Sequence, residues 1–255
     1  MSVVDRTLFD VSVTPFQRAT VDGVPVIFVT PDAADDRHQL ARLADVGFTA
    51  ISFDPYRLGE RGDGDDRLVM ESVFAHFRRH MWPILGHTTL DAVRVLDWAT
   101  ERFPVRPDDV VAGGLSMGGD ISVALAGIDH RVTRVSAVVA APDWTRPGMT
   151  HVGEPGRLID QGEPTFYGQW LFSHLDPATH PHHYVHGPAI AFELGADDTH
   201  VPPKAARLFH DALRATAPLA AERMRVTEHA GLDHLGAARA DHVVAAAIDW
   251  LAARP

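Results

Sequence analysis

The sequence predicts an α/β domain with a mainly parallel central sheet and helices on both faces. Two observations predict it. Short apolar runs alternate with helix-patterned stretches along most of the chain, which is the signature of strand–helix–strand units. Within that alternation the run Gly113-Gly114-Leu115-Ser116-Met117-Gly118-Gly119 contains G-x-S-x-G. It follows apolar Val110-Val111-Ala112 and precedes a helix-like stretch from Ile121 to Ile128, the context of a sharp strand-to-helix turn that carries a nucleophile. With 255 residues the chain suffices for one domain with a full core. No repeat or low-complexity linker divides it, so a single domain over 1–255 is expected.

The elements follow in order. Apolar runs at 24–30, 48–53, 110–113, 135–140 and 189–194 read as central strands, and 223–227 as the last one. Between them 35–45, 90–102, 117–128, 204–215 and 237–252 read as helices. The second of these places Ala92, Val95, Leu96 and Ala99 on one face at three- and four-residue spacing. Residues 144–188 break the alternation. They are rich in Pro, Gly, His and aromatic residues and stand between a core strand and the strand that carries an acid. An insertion there is expected to form a lid, with Phe166, Tyr167 and Trp170 as substrate-contacting candidates.

Bulk composition narrows the function classes. Apolar residues make up 45% and charged residues 22%, as in ordinary globular proteins. Lys and Arg number 23 against 34 Asp and Glu, a net charge of −11 that disfavours nucleic acid and anionic membranes as partners. The absence of cysteine excludes disulfides and thiolate metal sites. The N-terminus lacks a basic-then-apolar signal sequence, and no apolar run approaches the ~18 residues of a membrane span. A soluble cytoplasmic protein acting on a small molecule is expected. Oligomeric state has no sequence signal, and a homodimer stays open.

A serine hydroxyl needs a base to take its proton, and the base needs a carboxylate to hold its tautomer. Candidates occur in the chain order Ser, Asp, His. Ser116 is the nucleophile candidate, because the glycine-flanked turn lifts its hydroxyl and aims the first helical amides at a developing oxyanion. Two aspartates, Asp197 and Asp198, lie just past the apolar strand ending at Leu194, where open α/β sheets build their sites. His229 and His234 both follow the last strand. A loop histidine directly before the final helix favours His234.

The residues on the page resemble the α/β-hydrolase superfamily, within it the small bacterial esterases of the prolyl-oligopeptidase-like and dienelactone-hydrolase-like group. The resemblance covers about residues 20 to 252 and is weakest in the insertion. It is carried by Gly-Leu-Ser-Met-Gly-Gly, by Gly195-Ala-Asp-Asp-Thr-His-Val-Pro202 and by Asp233-His234. The register of the second motif, G-x-x-D-x-x-V-P, selects Asp198 over Asp197. A fourth stretch, Asp54-Pro-Tyr-Arg-Leu-Gly-Glu-Arg-Gly62, is similar to the family's H-G-E-R-G segment, with Leu58 where relatives often carry histidine. It adds Tyr56 and Arg61 as substrate-binding candidates, although a Glu60–Arg61 pair within a glycine-framed turn would give the arginine a structural role. Relatives usually carry His-Gly after the first core strand, whereas this chain has Thr30-Pro31-Asp32-Ala33. Proline has no N–H, so the oxyanion donors would be the amides of Met117 and of Asp32 or Ala33.

The resemblance implies acyl transfer to water, with Ser116 attacking a carbonyl, His234 shuttling the proton and Asp198 orienting it. No cofactor is needed, and a carboxylic ester of a neutral or weakly charged small molecule is the expected substrate. The altered Thr30-Pro31-Asp32 stretch leaves acyl transfer to another nucleophile, C–C bond cleavage and lyase chemistry open on the same residues. A peptidase and a non-catalytic binding protein are further alternatives. His174, His180, His182, His183 and His186 lack accompanying carboxylates, and Pro177, Pro181 and Pro188 break any helical face that could align them, so no metal is expected.

Overall fold

Residues 13–16, 24–28, 33–62, 64–103, 106 and 110–253 are described by the structure, a computed structural model. Nine strands occur among them: β1 (Val13–Phe16), β2 (Val24–Phe28), β3 (Phe48–Phe53), β4 (Val110–Leu115), β5 (Val132–Val138), β6 (Thr150–His151), β7 (Glu154–Leu158), β8 (Ala189–Gly195) and β9 (Met224–His229). Seven form one sheet in the order β1-β3-β2-β4-β5-β8-β9, while β6 and β7 form a separate hairpin. Only β1, at the edge, runs antiparallel to its neighbour; the other pairs in this sheet are parallel. All of β3 and nearly all of β4 are buried. Strands covered on both faces need apolar residues on both sides, which is why these segments read as continuous apolar runs.

The helices are α1 (Ala33–Asp45), α2 (Asp66–Ala75), α3 (Phe77–Arg102), α4 (Met117–Ile128), α5 (Phe166–Leu175), α6 (Lys204–Thr216), α7 (Pro218–Glu222), α8 (His234–Arg239) and α9 (Asp241–Ala252). On one face of the sheet, Leu40 and Leu43 of α1 cluster with Val244, Ile248 and Leu251 of α9 over Ala50 and Val111. The other face carries the larger cluster, in which Val95 and Leu96 of α3 meet Ile121 and Leu125 of α4. This is the α/β-hydrolase fold, with helices on both faces of the sheet as expected. No helix among the described residues is long and apolar enough to cross a membrane.

Several elements differ from the sequence expectation. Helix α3 starts at Phe77 rather than near residue 90 and runs 26 residues through Pro83 and Gly86. Gly86 is there for packing, since a Cβ on it would lie 2.7 Å from Cβ of Leu171 in α5. The expected helix at 237–252 is two helices, because Ala240 is extended (φ −74°, ψ 115°) between α8 and α9. Helix α2, helix α5 and the β6–β7 hairpin had no individual prediction. The insertion at 144–188 divides between that hairpin and α5, whose Phe172 stacks on Trp82 of α3 at 4.1 Å.

At the centre of the sheet, β4 hands the chain to α4 through Ser116, whose backbone is left-handed (φ 49°, ψ −116°). Its N–H donates to the carbonyl of Val138 at 2.8 Å, and its own carbonyl accepts from Asp120 at 3.1 Å. A non-glycine residue in that region is held only where the surroundings over-determine it. Here α4 lies so close to the sheet that a Cβ on Gly119 would overlap Cβ of Ala140 and sit 3.0 Å from the carbonyl oxygen of Gly114. Gly119→Ala should therefore lose about 1–3 kcal/mol through overpacking. Urea denaturation monitored by circular dichroism checks this, with Ala124→Gly, an ordinary helix-interior exchange in α4, as the reference.

Candidate active site

Ser116 stands at the C-terminal end of the sheet, on the wall of a cavity of about 530 Å³ that His234 also lines. His234 opens α8, and its Nδ1 lies 2.8 Å from Oδ2 of Asp198. Both side chains are buried, His234 at 8% exposure and Asp198 at 3%. The other carboxylate oxygen of Asp198 accepts the backbone N–H groups of His200 at 2.8 Å and Val201 at 2.7 Å. Three partners thus hold the carboxylate in one orientation. Because Nδ1 faces a carboxylate, it carries the ring proton in the neutral imidazole and leaves Nε2 as an acceptor. The loop after β8 and the loop before α8 touch closely, since a Cβ on Gly195 would overlap the carbonyl of Leu232.

The competing residues have other roles. Asp197 is exposed. His229 Nε2 lies 2.8 Å from Oε2 of buried Glu193, which also binds Arg225 at 2.6 Å. Met117 begins α4 and Ala33 begins α1, positions whose N–H groups have no partner within the helix. Asp32 lies outside the described residues.

The five substrate-binding candidates are absent from the residues that line the cavity. Tyr56 stacks on His87 at 4.2 Å, and its backbone N–H donates to Thr88 Oγ1 at 2.9 Å. Arg61 pairs with Asp91 and donates to the carbonyl of Asp54 at 3.0 Å. Leu58, in place of a histidine, is buried in the main core. Phe166, Tyr167 and Trp170 are exposed at 90%, 47% and 43% on α5, which packs on α3 rather than across the cavity. Of the insertion, Arg146 and Val152 do line it.

The walls come largely from residues that sequence reading missed. Met70 and Phe74 of α2 and Met81 of α3 form an apolar side, and Gln39, Arg239 and Asp241 bring polar groups from α1 and the α8–α9 junction. His200 has one signal, its place two residues after Asp198 in the acid loop. Its Nδ1 lies 2.7 Å from the carbonyl of Thr150, and its ring meets that of His234 edge-on at 4.7 Å. Burial, reinforced by the charge of Arg146, pushes the His200 imidazole down to about 3, so it is neutral.

Arg146 is itself buried, at 2% exposure, with its backbone in the left-handed region (φ 41°). It pairs with fully buried Asp120 in the first turn of α4, and its guanidinium sits 5.5 Å from the ring centre of Phe77. Asp120 also accepts the N–H of Ala141 at 2.8 Å. The pair thereby ties the loop after β5 to the helix that follows Ser116. Among the described residues no group of three or more His, Asp or Glu side chains is gathered as a metal would require.

Residues 75–254 match the model of the prolyl oligopeptidase family. The chain belongs to that family. The matched span contains Ser116, Asp198 and His234, and leaves α1 with Ala33 outside it. This prolyl oligopeptidase family member is 30% identical over 203 residues to a Mycobacterium tuberculosis protein named "Probable carboxylic ester hydrolase LipM", covering 70% of the chain. The chain spans about half the length of that curated relative, 45% of it. Among solved structures, TT1662 from Thermus thermophilus superposes with a TM-score of 0.72 at 21% identity over 100% of both chains. Esterase Est2 of the Planctomycetes species Thermogutta terrifontis superposes at 0.62 with 18% identity, over 99% of this chain and 89% of that one. These two likenesses establish the shared fold.

Removing one partner of the buried pair leaves the other charge uncompensated. Arg146→Met should cost about 3–5 kcal/mol of stability, and the double variant Asp120→Asn/Arg146→Met should recover part of it. Guanidinium denaturation of the four corners of this cycle measures the coupling, and purely additive effects would contradict it.

Proposed function

We propose that this protein is a serine hydrolase that cleaves a carboxylic ester of a small, neutral or weakly charged molecule. The observation that carries the reading is the meeting of Ser116, in its left-handed elbow, with Asp198-bound His234 on the walls of one cavity. In the proposed reaction, Nε2 of His234 takes the Ser116 proton as Oγ attacks the ester carbonyl. The tetrahedral oxyanion is received by the N–H groups of Met117 and Ala33 at the starts of α4 and α1, where the helix dipoles favour negative charge. His234 returns the proton to the leaving alkoxide, and the acyl group stays on Ser116. Water, deprotonated by His234, then attacks the acyl-enzyme and releases the acid. Asp198 keeps its charge throughout and stabilises the imidazolium.

Support for an ester comes from the name of the Mycobacterium tuberculosis relative and from the apolar side of the cavity formed by Met70, Phe74 and Met81. A cavity of about 530 Å³ accommodates a small molecule. The family itself favours a second reading, cleavage of a short peptide through the same acyl-enzyme.

Intact-mass spectrometry after a fluorophosphonate probe tests the proposal. Wild type should gain one adduct, and Ser116→Ala none. Asp198→Asn should lower kcat on p-nitrophenyl butyrate by a factor on the order of 10⁴. A folded wild type that takes no label and hydrolyses no ester would refute the reading. Turnover of aminoacyl anilides without turnover of esters would replace it with the peptidase.

A further inference from the structure

His200 belongs to the cavity without being one of the groups that move protons in the reaction above. It is 5% exposed and lines the same wall as Ser116 and His234. Its tautomer follows from its partner: the carbonyl of Thr150 can only accept, so Nδ1, at 2.7 Å, must carry the proton. In the neutral ring Nε2 is then a bare acceptor, and it has no hydrogen-bond partner among the described residues. The surroundings supply no donor from the apolar side, where Phe74 meets the His200 ring edge-on at 5.8 Å and Met70, Met81 and Val152 complete the wall.

The acceptor is also rigidly placed. Thr150 donates its N–H to the carbonyl of Thr199 at 3.0 Å, and the two threonine hydroxyls lie 2.7 Å apart. These bonds lock the start of the β6–β7 hairpin to the loop that carries Asp198. A fixed, partly desolvated acceptor beside the reacting atoms discriminates between substrates by whether they can satisfy it, because an analogue without the donor leaves the ring nitrogen unpaired.

We propose that His200 is a specificity-determining residue that selects esters bearing a hydroxyl close to the scissile bond, by accepting that hydroxyl's hydrogen bond at Nε2. The inference rests on the ester-hydrolase reading.

Matched substrate pairs test this on the wild-type protein. One pair is p-nitrophenyl butyrate and p-nitrophenyl 3-hydroxybutyrate, which places the hydroxyl on the acyl side. The other is propyl butyrate and the monobutyrate of ethylene glycol, which places it on the alcohol side. Rates are normalised to alkaline hydrolysis of each ester. The expected result is a preference of about tenfold or more in kcat/KM for the hydroxylated member of one pair. His200→Phe keeps a ring of similar size without the acceptor, and it should bring that ratio to within about twofold of unity whatever the absolute rate. Equal turnover of both members of both pairs by wild type overturns the inference and leaves ester hydrolysis standing, as does a preference that survives in folded His200→Phe. No hydrolysis of any of the four esters, together with no fluorophosphonate adduct, overturns both readings.

Discussion

A serine held in left-handed backbone between a buried strand and a buried helix is the constraint on which the rest of this site depends. At φ 49° the residue leaves β4 and enters α4 within one turn, so its side chain and the first N–H groups of α4 point into the same space. Such a turn is possible only if the helix can return close over the sheet. Gly119 permits that approach, lying against Ala140 and the carbonyl of Gly114. Val139, a β-branched residue with φ 45° directly after β5, shows that the neighbouring strand end is shaped as tightly. The positive φ values thus fall at the ends of two neighbouring strands, β4 and β5.

Among the described residues several buried charged groups lie around that turn, and they are paired. Asp120 sits in the first turn of α4 with Arg146 and the Ala141 N–H. Asp198 is held by two backbone N–H groups and His234. Glu193, on β8 two strands away from β4, takes Arg225 and His229. A carboxylate without such partners would be protonated or would not be buried. The consequence for function is geometric. Contacts between separate elements, Asp120 of α4 with Arg146 after β5 and Asp198 after β8 with His234 at the start of α8, bring together residues far apart in sequence.

The cavity itself is closed by elements outside the core alternation. Helix α2 contributes Met70 and Phe74, the turn of the β6–β7 hairpin contributes Val152, and the interruption at Ala240 turns Arg239 and Asp241 toward the opening. Strand β7 is exposed along its whole length, so this hairpin adds wall to the site with little burial of its own.

Local physics alone determined much of this protein. Fully buried parallel strands must be apolar on both sides, and so 48–53 and 189–194 were legible as strands; a glycine-framed serine between strand and helix was legible as an elbow. The order of Ser, Asp and His, and through the family resemblance the register of the acid loop, pointed to Ser116, Asp198 and His234, of which Ser116 and His234 line one cavity and Asp198 holds His234. What remained hidden lay in contacts between distant segments. Pro83 and Gly86 look like helix breakers until Leu171 of α5 is seen to cross at Gly86, and Ala240 carries no breaker signal at all. The aromatic residues of α5 resembled a lid by composition, yet that helix packs on α3, and the cavity walls fell to Arg146, Val152, His200 and α2 instead. Periodicity and motif spacing report on what a residue's own element requires. Which element lies across from it is decided by tertiary packing, and the shape and chemistry of the cavity belong to that second kind of information.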